Sequence, residues 1–366
     1  MPRVLFVGRS RLALPLQPWL RKKWDALSAV VDVRVLNAGT GTGDDRFVLL
    51  PSDALGFYPR LPFAVARELR SFAPGVVIAS DPFVGVAVQA ARRLARSRAK
   101  LVVEVHGDPR TFTRGYGSPA RRVVAPLADA TARAGIRHAD ATRALSAFTS
   151  SVVESARGVP ATACFPTYSD LEAFASPPTT PVPEAQRVVF IGALEAYKNI
   201  EMLTAAWRDV VQRVPGAMLT IVGSGSRRAV VDALVADLPG SVRHEPVLAP
   251  DAVSAELDAA RALVLPSWPE GLGRVVLEAF ARGRTAVATR AGGIVDIVTD
   301  DRDGLLVPPA DAPALVDGIA RVLEDHELAV RLGAAARETY EVWHQTADDF
   351  AASYRSLVDR VLAGER

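Results

Sequence analysis

The sequence predicts an α/β fold made of two doubly wound halves, on three observations. Short apolar runs of buried-strand type (Val4–Val7, Val76–Ser80, Leu101–Val105, Arg187–Ile191, Ala262–Leu265) alternate with stretches of helical periodicity, as in parallel βαβ units. Ser176–Glu184, SPPTTPVPE, breaks the alternation with four prolines in nine residues, so it can be neither strand nor helix interior. The alternation then restarts at Arg187 and runs on to a closing helical stretch, Trp343–Ala363.

Composition limits the function classes. The chain has 366 residues, 49% hydrophobic and 23% charged, enough for two domains with substantial cores. Its most apolar region, Gly75–Ala91, is interrupted by Asp81 and Pro82, so no membrane span is expected. MPRVLFVG enters a strand with no signal-peptide pattern, and Cys164 is the single cysteine; both favour a reducing, cytoplasmic setting. Charge is uneven. Residues 1–180 carry 24 Lys and Arg against 14 Asp and Glu, and the remainder 19 against 27. The basic first half suits an anionic partner such as a lipid phosphate or a peripheral membrane surface at the inner face. Without a dense basic tract with interleaved aromatics, or zinc-site spacing, nucleic acid is not expected.

In chain order, Val4–Val7 ends at Gly8, a candidate ligand-contacting glycine beyond a first strand, with Arg9 and Arg11 beside it. A helix is expected from near Pro15, with Leu16, Leu20, Trp24 and Leu27 on one side. Val31–Leu36 reads as a strand, Asn37–Arg46 as a flexible turn, Phe47–Leu50 as a strand and Arg60–Phe72 as a helix. Asp81-Pro82 starts the next helix. Leu101–Val105 is followed at once by His106-Gly107-Asp108, which puts an imidazole past the carboxyl end of a buried strand, where open α/β sheets bind ligands. Asp108–Ser118, with Phe112 and Tyr116, is a loop of acceptor-facing length. Pro119–Arg137 and Ala147–Ala156 read as helices, and Ala141–Leu145 and Ala161–Phe165 as short edge-like strands. In the second half, Gly192–Asn199 is a turn before a helix from Ile200, Gly223–Arg228 is mainly a turn into the next helix, and Val242–Pro246 is a strand.

Ala262–Ile297 holds the densest chemistry. A strand breaks at Pro266, a glycine-rich elbow follows, and a helix spans Arg274–Ala281. Glu270 precedes that helix and Glu278 lies about one turn inside it, so two carboxylates flank backbone N–H groups that Gly271 and Gly273 leave open. Acceptors for hydroxyls beside donors for a diphosphate match the two ends of a nucleotide sugar. The Arg274–Glu278 spacing also allows a plain i,i+4 surface ion pair.

This stretch resembles the E-x7-E signature of retaining glycosyltransferases of family 4. Pro266-Ser267, Gly271-x-Gly273, Leu277-Glu278-Ala279-Phe280 and the Ala291-Gly292-Gly293 loop near Asp296 all share the likeness. So do GALEAYKN at 192–199, VEVHGDP at 103–109 and Asp170–Phe174. The resemblance implies a GT-B fold: two Rossmann-like domains facing a central cleft, with the C-terminal helix returning to the first. Domains are then expected at 1–175 plus 341–366 and at 188–340, joined by a linker at 176–187. It further implies Lys198 on the departing diphosphate, Glu278 on the ribose, and Glu270, His106 and the Gly271, Leu272 and Gly273 amides on the transferred sugar. Arg274 and Gly8 are further donor contacts, and Val247 lies in the segment that meets the base. At 193 the family's usual arginine is replaced by Ala193. The implied reaction is metal-independent, cofactor-free transfer with retention, from a UDP- or GDP-sugar to a hydroxyl acceptor, lipid-linked or otherwise, in polysaccharide, glycolipid or other glycoconjugate synthesis. An epimerase of related fold and a non-catalytic nucleotide-sugar-binding protein are the alternatives.

Overall fold

The computed structural model describes residues 1–51, 54–111, 121–176 and 178–365. Phe112 and Tyr116, read from the sequence as part of an acceptor-facing loop, lie outside them. The chain divides into two compact units. Unit 1 comprises residues 1–109, 124–170 and 345–366; unit 2 comprises 110–123 and 171–344.

Unit 1 holds an all-parallel sheet in the order β2-β3-β1-β5-β6-β7-β8, with β4 paired to β3. The strands are β1 (Arg3–Val7), β2 (Leu12–Ala13), β3 (Asp32–Thr40), β4 (Phe47–Leu50), β5 (Val76–Ala79), β6 (Lys100–Val105), β7 (Ala141–Ala144) and β8 (Ala163–Cys164). Both faces are covered, which is why the strands read as continuous apolar runs. One face packs Leu5, Val77, Leu101 and Val103 against the Ala54–Ser71 and Pro82–Ala95 helices. The other packs Val4, Ile78 and Val102 with Trp24, Phe350 and Tyr354. The last two belong to the closing helix, Ala347–Ala363, which packs on the Pro18–Val30 helix and so returns the C-terminus to the first unit.

Four local expectations change. The first helix begins at Pro18, because Leu12–Ala13 forms a strand beforehand. The expected turn from Asn37 is still strand as far as Thr40. Gly39 pairs with Leu12 so closely that a Cβ there would lie 2.1 Å from the Leu12 carbonyl oxygen. The second helix starts at Ala54 and runs through Pro59 and Pro62. β7 is an interior strand rather than an edge one, fully buried between β6 and β8. Asp81 caps the Pro82 helix as its sequence suggests, accepting from the Phe83 and Val84 amides.

Unit 2 carries a second parallel sheet in the order β11-β10-β9-β12-β13-β14. Its strands are β9 (Arg187–Ile191), β10 (Met218–Val222), β11 (Val242–Glu245), β12 (Ala262–Leu265), β13 (Thr285–Thr289) and β14 (Gly304–Val307). This is the doubly wound order whose direction reverses between β9 and β12, and ligands in such sheets sit beyond the carboxyl ends at that reversal. The proline-rich segment is fastened to unit 2 by buried arginines. Arg282 donates to the Phe174 and Pro178 carbonyls, Arg284 to those of Thr180 and Pro181, and Arg261 to those of Pro183 and Glu184. Asp258 closes the arrangement by accepting from Arg282.

Candidate functional site

The reversal in unit 2 is flanked by the loops after β9 and β12, and their backbones are bonded together: the Trp268 amide donates to the Tyr197 carbonyl at 2.7 Å. Lys198 ends a short turn on the first loop. Its aliphatic chain crosses Gly192, where a Cβ would stand 3.2 Å from Lys198 Cε. Lys198 Nζ reaches Glu270 Oε1 on the second loop at 2.7 Å, and both side chains are largely buried.

The elbow is held from a third side. Gly293 N donates to Glu270 O at 2.8 Å, and Glu270 and Gly292 form an isolated parallel bridge. A Cβ at Gly292 would lie 2.3 Å from Glu270 O, and one at Gly293 2.2 Å from Gly271 O, so the Ala291-Gly292-Gly293 run is glycine because two backbones meet there. Thr289 also donates its hydroxyl to the Ser267 carbonyl.

The Arg274–Ala281 helix starts at Gly273, whose φ of +85° is the left-handed conformation that glycine adopts without penalty. No side chain caps this helix and its first turn carries no acid. Its leading amides and the positive end of its dipole are thus available to an anion. Glu278, 8% exposed, faces inward from the helix, and Arg274 Nε contacts its Oε1 at 2.9 Å. The i,i+4 pair exists, but its acid is buried. Burial pushes the Glu278 carboxyl up, and Arg274 and Lys198 pull it partly back. Lys198, Glu270, Glu278 and Arg274 thus form one cluster of alternating charge. Val247 lies beyond β11 on an exposed loop and Leu272 is half-buried in the elbow.

Gly223–Arg228 behaves as a turn. A Cβ at Gly223 would lie 1.8 Å from Gly192 O, and one at Gly225 2.5 Å from Leu194 O, so its glycines serve packing against the Lys198 loop. Ser226 hydrogen-bonds Glu195 by both its amide and its hydroxyl.

In unit 1, Gly8 follows β1, and a Cβ there would stand 3.1 Å from the Asn37 side-chain amide. Arg9 is engaged by Asp81 at 2.7 Å and by the Tyr58 hydroxyl. His106 follows β6, half-buried, with Nε2 3.0 Å from Glu104 Oε2. Glu104 was not singled out from the sequence, although a charge inside an otherwise apolar strand was the signal that could have found it. Trp268 and Thr289 were missed as well: Trp268 acts through its backbone amide, and the Thr289 hydroxyl meets a backbone carbonyl, so neither contact leaves a pair of side chains to read.

Among the described residues no group of three or more His, Cys, Asp or Glu is placed to hold a metal ion, and no helix is long and apolar enough to cross a membrane.

Two family models match. Residues 25–168 fit Glycosyltransferase Family 4, and residues 185–325 fit Glycosyl transferases group 1. Among curated proteins, the chain is 33% identical over 162 residues to the sulfoquinovosyl transferase of Arabidopsis thaliana, covering 43% of this chain and 31% of that one. It is 34% identical over 187 residues to a D-inositol 3-phosphate glycosyltransferase of Pseudarthrobacter chlorophenolicus, covering 49% and 44%. The aligned stretches thus span less than half of these curated relatives. Among solved structures, sucrose-phosphate synthase of Thermosynechococcus elongatus superposes with a TM-score of 0.81 over 100% of both chains at 20% identity. HepE of Anabaena, in complex with UDP-glucose, superposes with a TM-score of 0.69 over 99% of both at 18% identity.

Proposed function

The chain belongs to glycosyltransferase family 4 and has its GT-B fold, and from that premise we propose that it transfers a sugar with retention from a UDP- or GDP-sugar to a hydroxyl acceptor. The observation that carries this reading is the buried contact of Lys198 with Glu270 at the mouth of an uncapped helix, with Glu278 in the same charge cluster.

As the bond from the anomeric carbon to the diphosphate breaks, negative charge grows on the departing oxygens. Lys198 and the leading helix amides are donors already in place for it, so little reorganisation is needed at the moment of reaction. Glu270 accepts from hydroxyls of the transferred sugar, the Gly271, Leu272 and Gly273 amides donate to its oxygens, and Glu278 accepts from the ribose. Arg274 adds positive charge, Val247 lies by the base, and Gly8 and His106 are the further donor contacts that the family resemblance names. No carboxylate is assigned as a covalent nucleophile. The acceptor oxygen forms its bond on the face the diphosphate leaves, and its proton passes to a departing phosphate oxygen. No step is assigned to a metal. The acceptor is a hydroxyl compound, lipid-linked or free, and the basic charge of the first 180 residues suits an anionic one or a membrane surface.

The test is a nucleotide-sugar panel read first by thermal shift. A donor at about 100 times its dissociation constant stabilises the fold by about 2.7 kcal/mol. The stabilising donor is then followed with and without acceptors, in EDTA. Retained anomeric configuration in an acceptor-dependent product supports the reading. Interconversion of the donor without acceptor would establish an epimerase. Loss of turnover in EDTA with recovery on adding magnesium would refute metal independence. Donor binding without turnover under any acceptor would leave only a binding protein.

A further inference from the structure

β6 is interior, and successive residues point to opposite faces. Leu101 and Val103 enter one apolar cluster, while Val102 enters the other beside Phe350 and Tyr354. Glu104 shares the Val102 face, so a carboxylate 7% exposed sits where an apolar side chain would be expected. A buried charge of this kind is strongly unfavourable unless each oxygen is satisfied.

The two oxygens are used differently. Oε1 accepts from Arg143 Nη1 at 2.7 Å and from the Tyr354 hydroxyl of the closing helix. Arg143 is itself fixed: its Nη2 donates to the Phe165 and Pro166 carbonyls at 3.0 and 2.7 Å, and its guanidinium lies 4.2 Å from the Phe165 ring centroid. Lys23 faces the same carboxylate from the Pro18–Val30 helix, its ammonium over the Trp24 and Phe350 rings. Oε2 is turned the other way, to His106 Nε2 at 3.0 Å. An ion pair needed only for the fold would be complete with Arg143 and Tyr354. The contact to the imidazole is additional, and it leaves the buried network for a residue at the carboxyl end of the sheet.

We infer that Glu104 is a positioning residue for His106: its Oε2 anchors the ring through Nε2 and leaves Nδ1 as the nitrogen that meets a ligand. The contact fixes both orientation and tautomer, since a carboxylate accepts and the neutral ring must then carry its proton on Nε2. Through Tyr354 and Arg143, that orientation is tied to the closing helix and to β7. The role in turnover rests on the glycosyltransferase reading above; the tautomer does not.

The experiment is imidazole ¹⁵N NMR on the full chain, with the His106 signal identified by its loss in His106→Gln. The expected result is an Nε2–H ring in the unsubstituted protein. In Glu104→Gln, whose amide can accept or donate, the tautomers become mixed, and kcat falls about tenfold while the donor KM changes less than about threefold. Tyr354→Phe removes a contact to the other oxygen and should lower stability while leaving the His106 tautomer as it was. The double variant Glu104→Gln/His106→Gln should be no slower than His106→Gln alone, because the first acts through the second. An Nδ1–H ring in the unsubstituted protein overturns the inference without any variant having to fold. An unchanged tautomer in Glu104→Gln, or additive losses in the double variant, overturns it as well. A protein with the expected tautomer but no turnover would count against the transferase reading alone.

Discussion

Both units bury carboxylates beside cations, and they do so in opposite ways. In unit 1, Glu104 is surrounded by Arg143, Tyr354, His106 and Lys23. Burial would push its carboxyl up, but Arg143 and His106, with the Tyr354 hydroxyl, hold it well below the usual carboxylate range. In unit 2, Glu278 has Arg274 in contact and Lys198 farther off, and burial wins: its carboxyl is pushed up. A group satisfied several times over is fixed in its ionised form and anchors structure. A group satisfied once, by an arginine whose side chain is half exposed, keeps a lone pair and a proton equilibrium available to a ligand. The contrast separates a scaffold carboxylate from the one proposed to meet the donor by the number of its partners, although both are buried glutamates.

Removing the cation from each unit is the most forceful way to break the contrast. Arg143→Met leaves Glu104 buried without its main counter-charge, and should cost about 3–5 kcal/mol in a urea titration. The same variant should leave affinity for the free nucleoside diphosphate within about twofold, since the groups proposed to hold it, Lys198 and the Arg274–Ala281 helix amides, are in unit 2. The acid limb also follows. A carboxyl held low in the folded state contributes stability that is complete above its ordinary unfolded value and lost as pH falls below it. Arg143→Met should therefore flatten the loss of stability between neutral pH and acid. Strong destabilisation with unchanged acid dependence would mean that the ion pair is not the source.

Lys198→Met should show the reverse. Its loss removes the cation assigned to the departing diphosphate, so kcat should fall about 10²–10³-fold. Glu270 is then left with one partner fewer at a partly open site, at a stability cost of about 1–3 kcal/mol. If Lys198→Met destabilised as severely as Arg143→Met while turnover persisted, the lysine would be scaffold and the division drawn here would fail.

Lys23 gives a smaller effect of opposite sign. Burial pushes its ammonium down to about 8, against the pull of Glu104. The unfolded chain therefore holds more protons than the folded one from about pH 8 up to the ordinary lysine value. Stability should rise with pH across that window, with the full penalty present below it. Lys23→Met should raise the thermal midpoint at pH 7 by a stabilisation of about 1–2 kcal/mol, discounted for partial solvent access, and by less near pH 10. A variant less stable at both pH values would show that the lysine contributes to the Glu104 network more than its burial costs.

How much of this was legible in the sequence follows from the same physics. Strands buried on both faces are continuous apolar runs, so β6, β9 and β12 were readable to within a residue or two. The elbow was readable because its glycines are imposed by backbone contact: Gly273 by a left-handed cap, and Gly292 and Gly293 by carbonyl oxygens where a Cβ would stand. The pairing of Lys198 with Glu270 joins residues 72 positions apart, and only the resemblance to a known family suggested that they belong together. Glu104 escaped because its partners, Arg143 and Tyr354, are brought to it by β7 and by the closing helix, which no local pattern announces. The extension of β3 through Gly39 escaped because glycines there read as a turn, although close pairing with Leu12 is what demands one. The proline-rich segment was legible as irregular backbone. That three buried arginines strap it to unit 2 was not, since carbonyl acceptors carry no side-chain signature.

Ala193 offers the finest test of the contrast. The cluster in unit 2 has two acids, Glu270 and Glu278, and two cations, Lys198 and Arg274, so its charges nearly cancel before any ligand arrives. Family resemblance puts a further arginine at 193, and the alanine there is exposed, with its carbonyl accepting from the Glu195 amide, so a longer side chain meets no packed core. Ala193→Arg should therefore tighten the nucleoside diphosphate by about three- to tenfold at low salt, as one partly solvated charge-assisted contact would. The gain should shrink as ionic strength rises. Titration calorimetry at two salt concentrations measures both. Since the same charge would hold the product as well as the departing group, turnover limited by product release should slow while single-turnover transfer speeds up. Unchanged affinity at both salt concentrations would mean that position 193 does not face the diphosphate, and that the cluster manages its charge with Lys198 and Arg274 alone.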